Sequence, residues 1–226
     1  MPPNVQPDRA MHAALESYRL SGALYGDAGV LWQAGRSATA LGLAVMSLEA
    51  DSKAAQFLAE VTQIGNRGTG PGHQERIGQA LASLRLIFGD SLQDIAGGTD
   101  IEALSVDRIW KLRQRAFYVD LRGDSVSGPQ DIDPDVAASV LALAGNAVAI
   151  RAPLLQLDVN LLTEFFVDYG ATYRRYVEPV ERDLHSPVWF AGVAQFFAHL
   201  GDAWVFDWEP PYGLKALSRR EGADGR

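Results

Sequence analysis

Ala34-Gly-Arg-Ser-Ala-Thr-Ala-Leu-Gly-Leu-Ala-Val-Met-Ser-Leu-Glu-Ala-Asp-Ser-Lys-Ala-Ala-Gln-Phe-Leu-Ala-Glu-Val-Thr-Gln-Ile64 holds no proline, and its apolar residues are not spaced in twos. Leu41, Val45, Leu48, Ala55, Leu58 and Val61 recur three, four or seven residues apart, which gathers them on one side of a helix with a period of about 3.6. The Gly-Asn-Arg-Gly-Thr-Gly-Pro-Gly stretch at 65–72 then ends it.

Outward from this helix the same spacing recurs along most of the chain, and alternating β-branched runs are nearly absent. The fold class expected is all-α, a bundle of about seven helices with no sheet. A first helix covers about Asp8–Trp32, where Gly22, Gly26 and Gly29 either loosen its second half or permit a close helix contact. A third runs about His73–Phe88. A fourth starts near Asp100 or Ser105 and reaches Phe117. Asp133-Pro134 supplies an N-cap and a first-turn proline for a fifth helix, to about Ala152. A sixth covers about Asp158–Tyr176 and a seventh about Pro187–Ala203. Residues 119–131 read as a polar connection. The expectation is one helical domain over 1–214, with 215–226 a polar, disordered tail.

Composition excludes several classes. The chain has 226 residues, 47% of them hydrophobic, enough for a substantial core. A net charge of -8 argues against a protein that coats nucleic acid or anionic membrane, while leaving room for a local basic site. With no cysteine there is no disulfide, thiolate nucleophile or zinc–cysteine site. The segment Met1-Pro-Pro-Asn-Val-Gln-Pro-Asp-Arg9 lacks the basic and apolar stretches of a secretion signal, so a cytoplasmic location is expected. The apolar run Ala137–Ile150 is shorter than the roughly 20 residues of a membrane span and reads as a buried helix. His12, His73, His185 and His199 form no metal-binding spacing on a helix, so no metal and no cofactor are expected. Nucleophile-elbow, P-loop and dinucleotide-loop patterns are absent.

The polar residues that stand out each allow two readings. Glu49 and Lys53, four apart, make either an ordinary helical ion pair or a buried pair that organises a site; burial of Glu49 decides between them. His73 opens a helix, with Arg76 in its first turn, where unpaired N–H groups favour anions. Arg67 and His73 have the spacing of the Arg-x4–6-His pair of HEPN ribonucleases, but Gly-Thr-Gly-Pro-Gly lies between them and would not hold the pair rigid. In Lys111-Leu-Arg-Gln-Arg-Ala-Phe-Tyr-Val-Asp120, Arg113 and Arg115 stand near a helix C-terminus and serve either a ligand or the helix dipole. The late aromatics, Tyr169, Tyr173 and Tyr176, then Trp189, Phe190, Phe196, Phe197, Trp204 and Trp208, read mainly as core. Their alternative is a homodimer through the C-terminal helices.

Taken in order, Ala40-Leu-Gly-Leu-Ala-Val-Met-Ser-Leu-Glu49 with Lys53-Ala54, then Gly72-His73-Gln-Glu-Arg76, then Arg113-Gln-Arg-Ala-Phe-Tyr-Val-Asp120 with Pro129, resemble the AbiV-like family of bacterial abortive-infection proteins. The resemblance spans about residues 28–131, with Ala50 where a second Glu is common and Phe117 in place of Leu. It implies an α-helical phage-defence effector, HEPN-like in part, that arrests host growth or phage production. Three functions follow as expectations. In the first, the effector binds a phage or host protein through a polar cluster of Glu49, Lys53, His73, Arg76, Arg113, Arg115, Tyr118 and Asp120. In the second it is a metal-independent ribonuclease acting on RNA, with His73 as acid/base and Arg113 or Arg115 stabilising the phosphorane charge. In the third it is a helical scaffold without catalysis.

Overall fold

The computed structural model describes residues 6–64, 72–88, 105–118, 120–122, 125–209 and 213–220. Seven α-helices are present among them: α1 (Pro7–Gln33), α2 (Ser37–Thr62), α3 (His73–Phe88), α4 (Val106–Phe117), α5 (Pro134–Arg151), α6 (Val159–Tyr176) and α7 (Pro187–Ala203). The all-α expectation holds. Arg67, the mixed segment at 89–104 and most of the Gly-rich stretch at 65–72 lie outside the described residues.

The helix starts are set by short polar side chains. Ser105 accepts from Arg108 N, Asp133 from Asp135 N, Asp158 from Asn160 N and Leu161 N, and Ser186 from Trp189 N, each satisfying an amide that the first turn leaves unpaired. α1 ends in a Schellman turn: Gly35 takes φ +72°, Arg36 N donates to Leu31 O and Gly35 N to Trp32 O. That turn reverses the chain into α2.

Two additions and one correction concern strands. The connection at 119–131 carries a short hairpin, β1 (Asp120–Arg122) with β2 (Ser125–Ser127), antiparallel with Leu121 opposite Val126. A second hairpin pairs β3 (Trp204–Glu209) with β4 (Gly213–Arg219), Trp204 opposite Arg219, with a bulge at Asp207/Trp208. The sequence expectation of a disordered tail beginning at Lys215 is therefore corrected: Lys215–Arg219 is strand, stabilised by ladder pairing, and Arg220 N donates to Ala203 O.

The single domain expected from the sequence divides into two compact units, both drawing on α1 and α2. In one, described over 6–15, 55–64, 153–209 and 213–220, the core holds Met11, Val61, Leu162, Phe165, Phe196, Leu200 and Trp204. Tyr169 and Tyr173 meet Phe196 edge to face, and Trp204 meets Phe165 likewise while donating its indole N–H to Asp168 Oδ2 at 2.7 Å. Of the late aromatics, Phe196 and Trp204 are buried core and Tyr169, Tyr173 and Tyr176 pack against it half-buried, whereas Phe190 and Phe197 are exposed. Gly170 of α6 lies against the backbone of Thr62, whose carbonyl also accepts from Arg174.

The other unit, described over 16–54, 72–88, 105–118, 120–122 and 125–152, has Leu41, Val45, Leu48, Ile77, Ile109, Val140 and Leu143 fully enclosed. α5 runs antiparallel to α1: Arg151 lies over the Tyr18 ring, Val148 meets Gly22, and Tyr25 meets Gly145. The segment Pro134–Gln156 is long and apolar enough to cross a membrane; Val136, Ala137, Val140, Leu141, Leu143, Ala144 and Ala147 sit in this unit's core, but only 28% of its apolar window is buried, so the helix is less enclosed than the buried-helix reading expects. Gly42 of α2 faces Ala116 and Phe117, which brings the end of α4 onto α2.

Candidate functional site

Three helices of this second unit converge on Glu49. It occupies the half-apolar face of α2 next to Leu48 and only 7% of it is exposed, whereas Lys53, the other member of the expected buried pair, is exposed. A carboxylate there needs partners, because desolvating a charge costs several kcal/mol. Two come from elsewhere in the chain. His73, first residue of α3, donates its Nδ1–H to Glu49 Oε2 at 2.7 Å, and Arg113 of α4 brings Nε to 3.1 Å from Oε1. The second contact is an ion pair whose N–H is not aligned on the oxygen, so both atoms keep hydrogen-bonding capacity unspent.

Trp110 joins them. It is one turn before Arg113 on α4, which carries its guanidinium 5.2 Å from the indole centroid, and His73 stacks on the same indole at 5.6 Å with 20° between planes. The imidazole is therefore fixed twice, in its plane by Trp110 and in rotation by Glu49. With Nδ1–H donating to Glu49, the lone pair of the neutral ring lies on Nε2. His73 is half exposed, at 53% of its side chain, against 16% for Arg113.

The remaining expected residues are distributed differently. Arg76, three residues after His73 on the same side of α3, keeps Nε buried with no hydrogen-bond partner among the described residues. Arg115 has a similarly buried Nε but leaves the opposite flank of the Ile109–Leu112–Ala116 stripe from Arg113. Lys53 is exposed, one turn beyond Glu49. Tyr118 is extended at the end of α4 and 64% exposed. Asp120 contributes its backbone to β1, opposite Ser127. Glu49, His73 and Arg113 are thus the members brought into contact, and Trp110 is the member that sequence reading missed.

No family model, curated protein or solved structure matches this chain. Among the described residues no group of three or more His, Asp or Glu side chains could hold a metal ion, and the set that converges here, one carboxylate between a histidine and an arginine, suits proton transfer beside an anion rather than metal ligation.

A second buried polar cluster was also missed. Asp51, on α2 and almost wholly enclosed, stands 3.6 Å from Arg151 Nε, and Arg151 covers the buried ring of Tyr18. One turn away Ser21 and Ser47 exchange hydrogen bonds, each hydroxyl reaching the other's carbonyl. Burial holds the Asp51 carboxyl above its ordinary range, against the opposing pull of Arg151, and burial likewise raises the Tyr18 phenol. A carboxyl with a raised folded pKa contributes stability in full below its unfolded pKa of 3.8 and loses it as pH rises through the folded value. Asp51→Asn has no such charge to acquire. The urea midpoint of the variant, relative to the wild type at each pH, is expected to rise as pH climbs through that window. A difference that stays level across the window would sink this account of Asp51.

Proposed function

We propose that the chain is a helical effector of the abortive-infection type whose working site cleaves RNA without a metal, with His73 Nε2 as the acid/base and Arg113 beside the reacting phosphate. The observation that carries this reading is the shared carboxylate. Glu49 fixes the rotation of the histidine through Oε2 at 2.7 Å and holds an arginine 3.1 Å from its other oxygen, Oε1, so one carboxylate serves both groups. Nε2 removes the proton of a ribose 2′-OH, whose oxygen attacks the adjacent phosphorus while the P–O5′ bond breaks. The protonated imidazole then delivers that proton to the departing 5′-oxygen, leaving a 2′,3′-cyclic phosphate. Positioned acid/base groups of this kind contribute about 100- to 10,000-fold.

Purified protein incubated with total RNA in the presence of a chelator is expected to produce fragments ending in cyclic phosphate, and His73→Ala to reduce the rate by about 100-fold or more. Chelator-sensitive cleavage, or a His73→Ala variant as active as wild type, would falsify the assignment.

A second reading, binding of a phage or host protein, is favoured by Phe117 and Tyr118, which are exposed at the end of α4, within four and five residues of Arg113. Exposed aromatics are common anchors of protein interfaces. The two readings part in one comparison. Intact RNA together with phage resistance that is lost in Tyr118→Ala and retained in His73→Ala would favour binding over cleavage.

A further inference from the structure

The geometry points to Arg76 as the residue that binds a backbone phosphate of a single RNA strand while the strand's 2′-OH meets His73. This inference rests on the ribonuclease reading of the same site and names what holds the substrate there. Ile77, Ala80, Leu81 and Leu84 form the buried stripe of α3. Arg76 is four residues before Ala80 and three after His73, so it lies along the edge of that stripe, in the turn that His73 opens. It is half-buried, with Nε enclosed and without a hydrogen-bond partner among the described residues. Helical side chains lean toward the N-terminus, which directs its guanidinium over the turn of His73.

The neighbouring charges single Arg76 out. Arg113 is countered by Glu49 at 3.1 Å, lies over Trp110 and is only 16% exposed, so its charge is balanced within the fold. Arg76 has no such counter-charge among the described residues. Carboxylates are not scarce, with 28 Asp and Glu against 20 Lys and Arg. A half-buried guanidinium gives up part of its hydration, and without an ion pair nothing in the fold offsets that cost. An anion from outside supplies the missing partner. A phosphodiester suits it, because its two unbridged oxygens accept two parallel N–H bonds from the planar guanidinium.

The net charge of -8 makes each contact count, since an acidic chain repels a polyanion at long range and binds it through a few local cations. Every phosphate neutralised releases counterions, and for single strands log K falls with log salt by about 0.7 per contact. Arg76→Met keeps the apolar stem and deletes the charge. It is expected to flatten that slope by about 0.7 and to weaken binding about 10-fold or more at low salt.

Fluorescence anisotropy of the full chain with a labelled single-stranded RNA, 2′-O-methylated throughout so that no hydroxyl can attack, reads binding apart from cleavage. Over a salt series the wild type is expected to bind with a steeper slope than Arg76→Met. Arg76→Lys retains the charge without the planar fork, so it should keep the wild-type slope at an affinity between the two. Thermal melts of Arg76→Met are expected to match or exceed the wild type, because a cation without a partner has been removed. A wild type that does not bind the strand, or an Arg76→Met protein with the wild-type slope and affinity, would overturn the assignment. An unchanged slope with a lower melting temperature would do so too, making Arg76 a structural residue. Unmodified RNA judges the ribonuclease reading separately. Binding that needs Arg76 without any cleavage refutes that reading and leaves this one standing, whereas cleavage by Arg76→Met at the wild-type KM does the reverse.

Discussion

Gly170→Ala is expected to destabilise the protein by about 3 kcal/mol or more, a large share of the stability of a marginal fold. A Cβ built on Gly170 would overlap the carbonyl oxygen of Thr62 and stand 2.6 Å from its carbonyl carbon. Both atoms are backbone at the end of α2, so no rotamer change relieves the clash. α6 and the end of α2 would have to separate, and the Arg174 hydrogen bond to that same carbonyl would be lost with them. The comparison that isolates this effect is Gly26→Ala. Gly26 is exposed within α1 and nothing lies within 4 Å of its Cβ position, so alanine there is expected to stabilise by about 0.5–1 kcal/mol through helix propensity alone. Urea unfolding of the two variants measures both. Equal midpoints would mean that α6 does not rest on the end of α2 as described.

The helices were legible because their punctuation is local. Asp133-Pro134, Asp158 and Ser186-Pro187 each announce a start within three residues, and His73–Phe88 and Pro187–Ala203 begin and end where the pattern puts them. Gly22, Gly26 and Gly29 left the second half of α1 ambiguous. Its continuity comes from tertiary contacts, since Tyr25 packs on Gly145 and Val148 on Gly22, distances no window of sequence contains. The hairpins failed for the opposite reason. β1 and β2 are three residues each, too short for an alternation to register, and β3 begins at Trp204, whose buried indole reads equally well as the end of an apolar helix.

The site was legible in its parts and not in its joining. Glu49, His73 and Arg113 were each singled out by residue type and helix position. What brings them together is the packing of α2, α3 and α4, across separations of 24 residues for one pair and far more for the other. Glu49 was first paired with Lys53 because four-residue spacing is what a sequence displays. The buried carboxylate also meets groups from two other helices. Trp110 gave no polar signal at all. Asp51 did leave one: it lies three residues after Leu48, on the same stripe, and a carboxylate on a buried stripe implies a cation from another element. Arg151, the basic residue ending α5, is that cation.

Removing Glu49 tests the site and the fold together. Glu49→Ala is expected to destabilise by about 3 kcal/mol, because Arg113 would remain largely buried with its counter-charge gone, while the half-exposed His73 can turn to water. Glu49→Gln separates this from chemistry. Glutamine has the same shape, and its amide oxygen still accepts from His73 Nδ1 or from Arg113, so the loss of stability should fall to about 1–2 kcal/mol. On the proposed ribonuclease reading, however, the negative charge that would stabilise the imidazolium in mid-reaction is gone, and so is one of the two acceptors. Cleavage is therefore expected to fall about 100-fold in a variant that remains folded at the assay temperature. Thermal melts and RNA cleavage on the same preparations give both numbers. A Glu49→Gln protein that cuts RNA at the wild-type rate would leave the carboxylate a purely structural ion pair, and the histidine would then need another source of orientation, for which the Trp110 stack is the remaining candidate.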